Sequence, residues 1–201
     1  MRRTIHAVHL CWGSYGFWLP NDPRGSGSET VWAEHLKPFG EATFVPDRKR
    51  SRARTGHDKP LRFAAKRALL RPAVLFNGHQ AKCAALAFGE YAERIDLPIW
   101  ACTVLPDHVH LVVAPCGIRA RDLSARFKAA ATKALKEQGL HPFGHLEDES
   151  GDVPKCWQMK DWSVFKYDPD AVRQVIRYVE DNPLKEGKPK QTWRFVTPDA
   201  G

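Results

Sequence analysis

Two histidines separated by one residue, His108 and His110, stand in the run Val104-Leu-Pro-Asp-His-Val-His-Leu-Val-Val-Ala114. After Pro106-Asp107, which suits a tight turn, the run alternates with period two. His108, His110 and Val112 therefore share one side of a strand, and Val109, Leu111 and Val113 share the other. One side is apolar, while the other offers two imidazoles roughly 7 Å apart at the backbone. Neutral imidazoles converging from one strand can share a divalent ion. The tripeptide alone is a weak motif, so its surroundings must carry the argument.

A second pair of chemically capable residues lies near the end of the chain. Asp168 suits a helix N-cap, Pro169 the first helical position, and Val172, Val175, Ile176 and Val179 form an i, i+3, i+4, i+7 stripe. At 100° per residue, Tyr178 and Asn182 lie one above the other on one edge of that stripe, and Arg173 and Arg177 border the opposite edge. Pro183 is expected to end the helix. A phenol one turn from an amide oxygen could be a nucleophile beside a metal ligand. The same spacing equally suits a packing aromatic and a helix cap, and periodicity leaves both readings open.

The elements that would position these residues read in order as follows. Ile5 to Trp12 alternates like a strand ending at Gly13, and the breaker-rich stretch from Ser14 to Ser28 reads as a loop carrying Tyr15, Phe17, Trp18 and Arg24. Residues 29 to 78 are weakly periodic, with a short helix near Phe63 to Leu70. His79 to Arg94 is helical in spacing, and Ile99 to Leu105 is apolar on both sides, as in a central strand. With the His strand it should make an antiparallel hairpin. A second helix is expected from about Asp122 to Gly139, an aromatic strand within Cys156 to Tyr167, and a terminal strand at Thr192 to Val196. Strand, helix, hairpin, helix, strand, helix is the order of an α+β ferredoxin-like sandwich, an antiparallel β-sheet with helices packed on one face. The His side would then be the open face.

Composition bounds the function classes. The chain of 201 residues is 43% apolar, enough for one domain, 1–201, with a basic insertion at about 30–78. No apolar run approaches a membrane span and no signal-peptide core follows Met1, so a cytoplasmic protein without a membrane partner is expected. The five cysteines are scattered with no Cys-x-x-Cys pair, against a disulfide framework or a structural zinc site. Of the net charge of +8, the surplus is local: Arg48 to Arg71 holds ten Lys and Arg against Asp58 alone, and the remainder has 21 basic and 22 acidic residues. A solvated surface or a phosphate-binding one fits such a block. Nucleic acid is the natural polyanion for the second.

Four segments, taken together and in order, resemble a known family. Leu105-Pro-Asp-His-Val-His-Leu111, Phe127-Lys128, Cys156-Trp-Gln158 and Tyr178-Val-Glu-Asp-Asn-Pro-Leu-Lys-Glu-Gly187 are similar to the single-tyrosine transposases with a His-hydrophobe-His motif, called HUH endonucleases, and most of all to their REP-associated branch. The loop Gly13 to Gly25 is also similar to one seen in that group. The resemblance spans residues 1 to about 187, interrupted by about 30 to 78, and the segment Trp162-Ser-Val-Phe-Lys-Tyr departs from the family's usual run.

The resemblance implies a metal-dependent single-strand DNA endonuclease and strand transferase acting in DNA transposition. Tyr178 would be the nucleophile, forming a 5′-phosphotyrosine, and His108, His110 and Asn182 would hold a divalent ion, Mg²⁺ or Mn²⁺. The partner would be single-stranded or hairpin DNA, and a homodimer is compatible with this. The basic insertion lies outside the family's compact core, and it is its charge that points to Arg48, Lys49, Arg50, Arg52 and Arg54, with Arg24, Lys128 and Arg177, as contacts to DNA. Two alternatives are a domesticated, catalytically silent nucleic-acid-binding protein and a histidine-triad nucleotide hydrolase. The latter resembles His108-Val-His-Leu-Val-Val-Ala-Pro115, but its third, nucleophilic histidine would fall at Val112.

Overall fold

The computed structural model describes residues 3–23, 30–31, 33–43 and 58–198. The chain divides into two compact units, one formed by Met1–Ser14 with Leu75–Gly201 and the other by Tyr15–Val74. The larger unit is an α+β sandwich around a four-stranded antiparallel sheet. Its strands are β1 (Ala7–Gly13), β2 (Ile99–Val104), β3 (His108–Val113) and β4 (Trp162–Lys166), in the spatial order β2-β3-β1-β4. The expected β2–β3 hairpin forms, with Thr103 opposite His110 and Val104 opposite Val109.

Residues facing each other across the strands point to the same side, so each side can be followed through the sheet. Trp12 of β1 lies opposite Val109, and Leu10 opposite Leu111, on the apolar side. The helices α2 (Gly78–Arg94) and α3 (Ala120–Glu137) cover it: Phe88 stands edge-on to Trp12 at 5.6 Å and to Phe127 at 5.7 Å, and Tyr91 meets Phe127 at 5.1 Å. Such offset aromatic pairs add to the hydrophobic gain of burying the rings. Asn77 and Gln80 start α2 with a reciprocal capping box at 2.9 and 3.0 Å.

The other side differs from the expectation of an open face. The helix α4 (Pro169–Lys185) lies over it, and Val172, Val175 and Val179 pack against Ala7, Ala101 and Val112. The α+β class stands, but the helices are shared between both faces. The physical reason is that Val112 and its small neighbours leave an apolar floor beyond the histidines, which is where a valine stripe can be buried.

Asp168 caps α4 through its carboxylate, which accepts from the Ala171 N–H at 2.8 Å, and Pro169 follows at the first helical position. Pro183 does not end α4; the helix runs on to Lys185 and closes where Gly187, at φ 67°, lets the Lys188 N–H reach the Pro183 carbonyl at 2.9 Å. Proline has no N–H to give the carbonyl four residues earlier, which is that of Val179. The Thr103 hydroxyl of β2 donates to that carbonyl at 2.7 Å, tying the helix to the sheet.

In place of a full terminal strand, the segment after α4 sheathes the edge of β2. Gln191 exchanges two hydrogen bonds with the Val104 backbone at 2.8 and 2.9 Å, the Trp193 indole donates to the Cys102 carbonyl at 3.1 Å, and Val196 makes a single parallel bridge to Ile99.

In the smaller unit, α1 (Lys59–Arg67) begins about a turn before the expected helix. Asp58 sets the start by accepting from the Leu61 N–H at 2.8 Å, with Pro60 in the first turn. Gly16 sits at φ 82°, where a Cβ would lie 2.8 Å from that of Ala73, so glycine is required there.

Candidate functional site

The polar end of the His side is built from β1, β3 and one edge of α4. The turn Pro106-Asp107 delivers a carboxylate beside its neighbour: Asp107 Oδ1 lies 2.7 Å from His108 Nδ1. A carboxylate can only accept, so His108 Nδ1 carries a proton, and in the neutral ring the lone pair is left on Nε2. Asn182 approaches that nitrogen, its amide Nδ2 standing 3.4 Å from His108 Nε2. The amide is 93% buried by residue, at 7% exposure, because the valine stripe turns this edge of α4 toward the strand.

His110 is buried, with its ring perpendicular to that of His108 at 5.0 Å between centroids. Its Nδ1 lies 3.0 Å from Nε2 of His9, with the two rings edge to edge, centroids 5.1 Å apart and planes inclined by 25°. Burial, and then the neighbouring His9, His108 and Lys185, hold the His110 imidazole well below its ordinary pKa of 6.5. Burial and then Lys166 bring His9 down to about 4. Both rings are therefore uncharged at neutral pH, the form that can bind a cation.

Tyr178 completes the arrangement from one helical turn before Asn182. Its ring stands edge-on to His110 at 5.5 Å and to His9 at 6.1 Å, and Lys185 places its ammonium 4.2 Å from the ring centroid. The residue is 44% exposed, so a polymer substrate can reach it. Burial around the hydroxyl, with Cys11 second, raises the phenol above its ordinary pKa of 10. It thus holds its proton at neutral pH. The Cys11 thiol is itself pushed up to about 12 by burial, with Lys128 opposing and Asp161 adding, so it stays a thiol.

Four residues that sequence reasoning did not single out belong to this neighbourhood: His9, Asp107, Lys185 and Glu186. Ligand atoms of Asp107, His108 and Glu186 lie within 4.8 Å of one another. Glu186 follows Asn182 by four positions on the same edge, a signal hidden by the expectation that the helix stops at Pro183. The donor set of imidazole nitrogen, amide and carboxylate oxygen fits a divalent ion of the Mg²⁺ or Mn²⁺ kind.

The proposed DNA contacts divide differently. Arg177 is exposed on α4. Lys128 is half-buried: its ammonium donates to the carbonyls of Gln158 and Met159 at 3.0 and 3.4 Å, and lies 4.0 Å from Asp161. Arg24, Arg48, Lys49, Arg50, Arg52 and Arg54 lie outside the described residues. No helix among the described residues is long and apolar enough to cross a membrane.

No protein-family model and no curated protein matches the chain. Solved structures similar to it include two transposase structures. One is a REP-associated tyrosine transposase bound to a REP hairpin, 14% identical, with a TM-score of 0.46 over 93% of this chain and 73% of the other. The second is a candidate transposase from Deinococcus radiodurans R1, 13% identical, with a TM-score of 0.40 over 94% of each chain.

Proposed function

We propose that the protein is a metal-dependent single-strand DNA endonuclease and strand transferase of the transposase type, with Tyr178 as its nucleophile. The observation that carries this reading is the meeting of one helix edge, Tyr178 and Asn182, with His108 and His110 on the adjacent strand. The four sequence motifs in family order support it.

In this reading His108, His110 and Asn182 hold Mg²⁺ or Mn²⁺. When bound, the ion supplies positive charge that polarises a phosphate and offsets charge developing in the transition state. Tyr178 attacks the phosphorus in line, its Oη–P bond forming as the bond to the 3′ oxygen breaks. The leaving strand departs with a 3′-hydroxyl, and the other strand stays attached as a 5′-phosphotyrosine. Because the phenol is held protonated, it must release its proton during attack and not before. A second 3′-hydroxyl can reverse the step and join strands without a nucleotide cofactor. Arg177, Arg24 of the breaker-rich loop and Arg48, Lys49, Arg50, Arg52 and Arg54 of the basic segment would neutralise phosphates of single-stranded or hairpin DNA, and Lys128 would do so only by releasing the Gln158 and Met159 carbonyls.

The test is to incubate the protein with Mn²⁺ and a panel of single-stranded and hairpin oligonucleotides under denaturing readout. A covalent adduct is expected, mapped by mass spectrometry to the peptide holding Tyr178, and absent from Tyr178→Phe while DNA binding persists. An adduct that survives in Tyr178→Phe, or maps to Tyr167, would overturn the assignment. DNA binding by every variant with no adduct from any would return the protein to the silent-binder reading.

A further inference from the structure

The contact between His9 and His110 constrains chemistry that neither residue controls alone. Two imidazoles 3.0 Å apart through Nε2 of one and Nδ1 of the other can hydrogen-bond only if one nitrogen carries the proton and the other offers its lone pair. The pair thus has two neutral arrangements. In one, His9 Nε2–H donates to His110 Nδ1, and the remaining nitrogen of His110, Nε2, is an N–H that cannot bind a cation. In the other, His110 Nδ1–H donates to His9 Nε2, and His110 Nε2 is left with a lone pair. His108 is already fixed in the second sense by Asp107 at its Nδ1.

Resting on the metal-dependent reading above, we propose that His9 is a positioning residue, accepting the Nδ1 proton of His110 so that both motif histidines present Nε2 to one ion. His9 does for His110 what the carboxylate of Asp107 does for His108, with a neutral ring in place of a charge. The register explains why it is available: His9 faces Val112 across β1 and β3, one alternation along from the Cys11–His110 pair, so its ring reaches back along the same side of the sheet. Its ring also stands edge-on to Tyr178, so it touches both the ligand it orients and the nucleophile. The outer partners of metal-binding histidines fix ring orientation and tautomer, and losing one costs on the order of 10- to 100-fold in metal affinity.

Nitrogen NMR of the wild-type protein, which distinguishes imidazole tautomers, tests the proposal without any substitution. His110 should carry its proton on Nδ1 before and after Mg²⁺ is added; a proton on His110 Nε2 overturns it. Mn²⁺ titration followed by electron paramagnetic resonance supplies the second arm. His9→Phe keeps a ring under Tyr178 but removes the acceptor, and should weaken Mn²⁺ binding by about 10- to 100-fold. His9→Gln, whose side-chain oxygen reaches about as far as Nε2, should restore most of it. Wild-type affinity in folded His9→Phe, or no recovery in His9→Gln, overturns the positioning role. His110→Ala is run alongside. If it also binds Mn²⁺ like the wild type, the metal site itself is wrongly placed, whereas loss in His110→Ala with none in His9→Phe leaves the site standing and removes only His9.

Discussion

On one face of the sheet, Val109, Leu111 and Val113 of β3 disappear beneath the aromatic layer of Trp12, Phe88 and Phe127; on the other, His108, His110 and Val112 of the same strand lie under α4. The first face is saturated with carbon and asks nothing of its residues except volume. The second is divided. Its Val112 end accepts the valines of α4, while its histidine end must satisfy polar groups that have lost water, and does so pairwise: Asp107 with His108, His9 with His110, Thr103 with the Val179 carbonyl. One face thus stores stability and the other places chemistry. The covering helix is common to both tasks on the second face, which is why its rotation matters.

That contrast is broken most sharply by removing a metal ligand. In the proposed mechanism, His108→Ala or His110→Ala should lower the rate of DNA cleavage by at least about 100-fold, since the ion accounts for several kcal/mol of charge stabilisation. Both variants should still melt cooperatively, with the midpoint of His110→Ala lowered because half-buried His9 loses its partner. A collapse of the melting transition would mean that the histidines are structural. Conversely, Leu111→Ala on the apolar face should cost about 2–5 kcal/mol in urea unfolding through the cavity it leaves. Cleavage per folded molecule should be kept, and a variant as stable as the wild type would contradict the packing described. The smallest effect is expected where α4 is fastened to the sheet. Thr103→Val keeps the shape but leaves the buried Val179 carbonyl unpaired, for a loss of about 1–3 kcal/mol. If Thr103→Val unfolds at the same urea concentration as the wild type, the hydroxyl contributes nothing to the seat of α4.

Much of this was legible in the residues. Alternation placed His108 and His110 on one side of a strand, and the valine stripe fixed which edge of α4 carries Tyr178 and Asn182. Periodicity states that a stripe is buried but not against which face, so α4 could not be assigned to the histidine side from sequence. His9 was missed because a histidine between Ala7 and Cys11 positions in a strand has no spacing of its own to announce it; only the β1–β3 register brings it to His110. Glu186 was missed for a different reason. A proline predicts the end of a helix, although in the last turn of α4 its missing N–H is compensated from outside the helix by Thr103.

The sheath over β2 bears on how the chain avoids its neighbours. By position β2 is a rim strand, and rim strands expose amides and carbonyls that can template pairing between molecules. Here a glutamine amide and an indole, with a single backbone bridge, occupy groups of Ile99, Cys102 and Val104 that a further strand would take. β2 is therefore closed without the sheet gaining a full strand. A chain shortened before Gln191 would keep every residue of the histidine cluster and of α4, yet uncover a hydrophobic ribbon whose easiest new partner is another copy of itself.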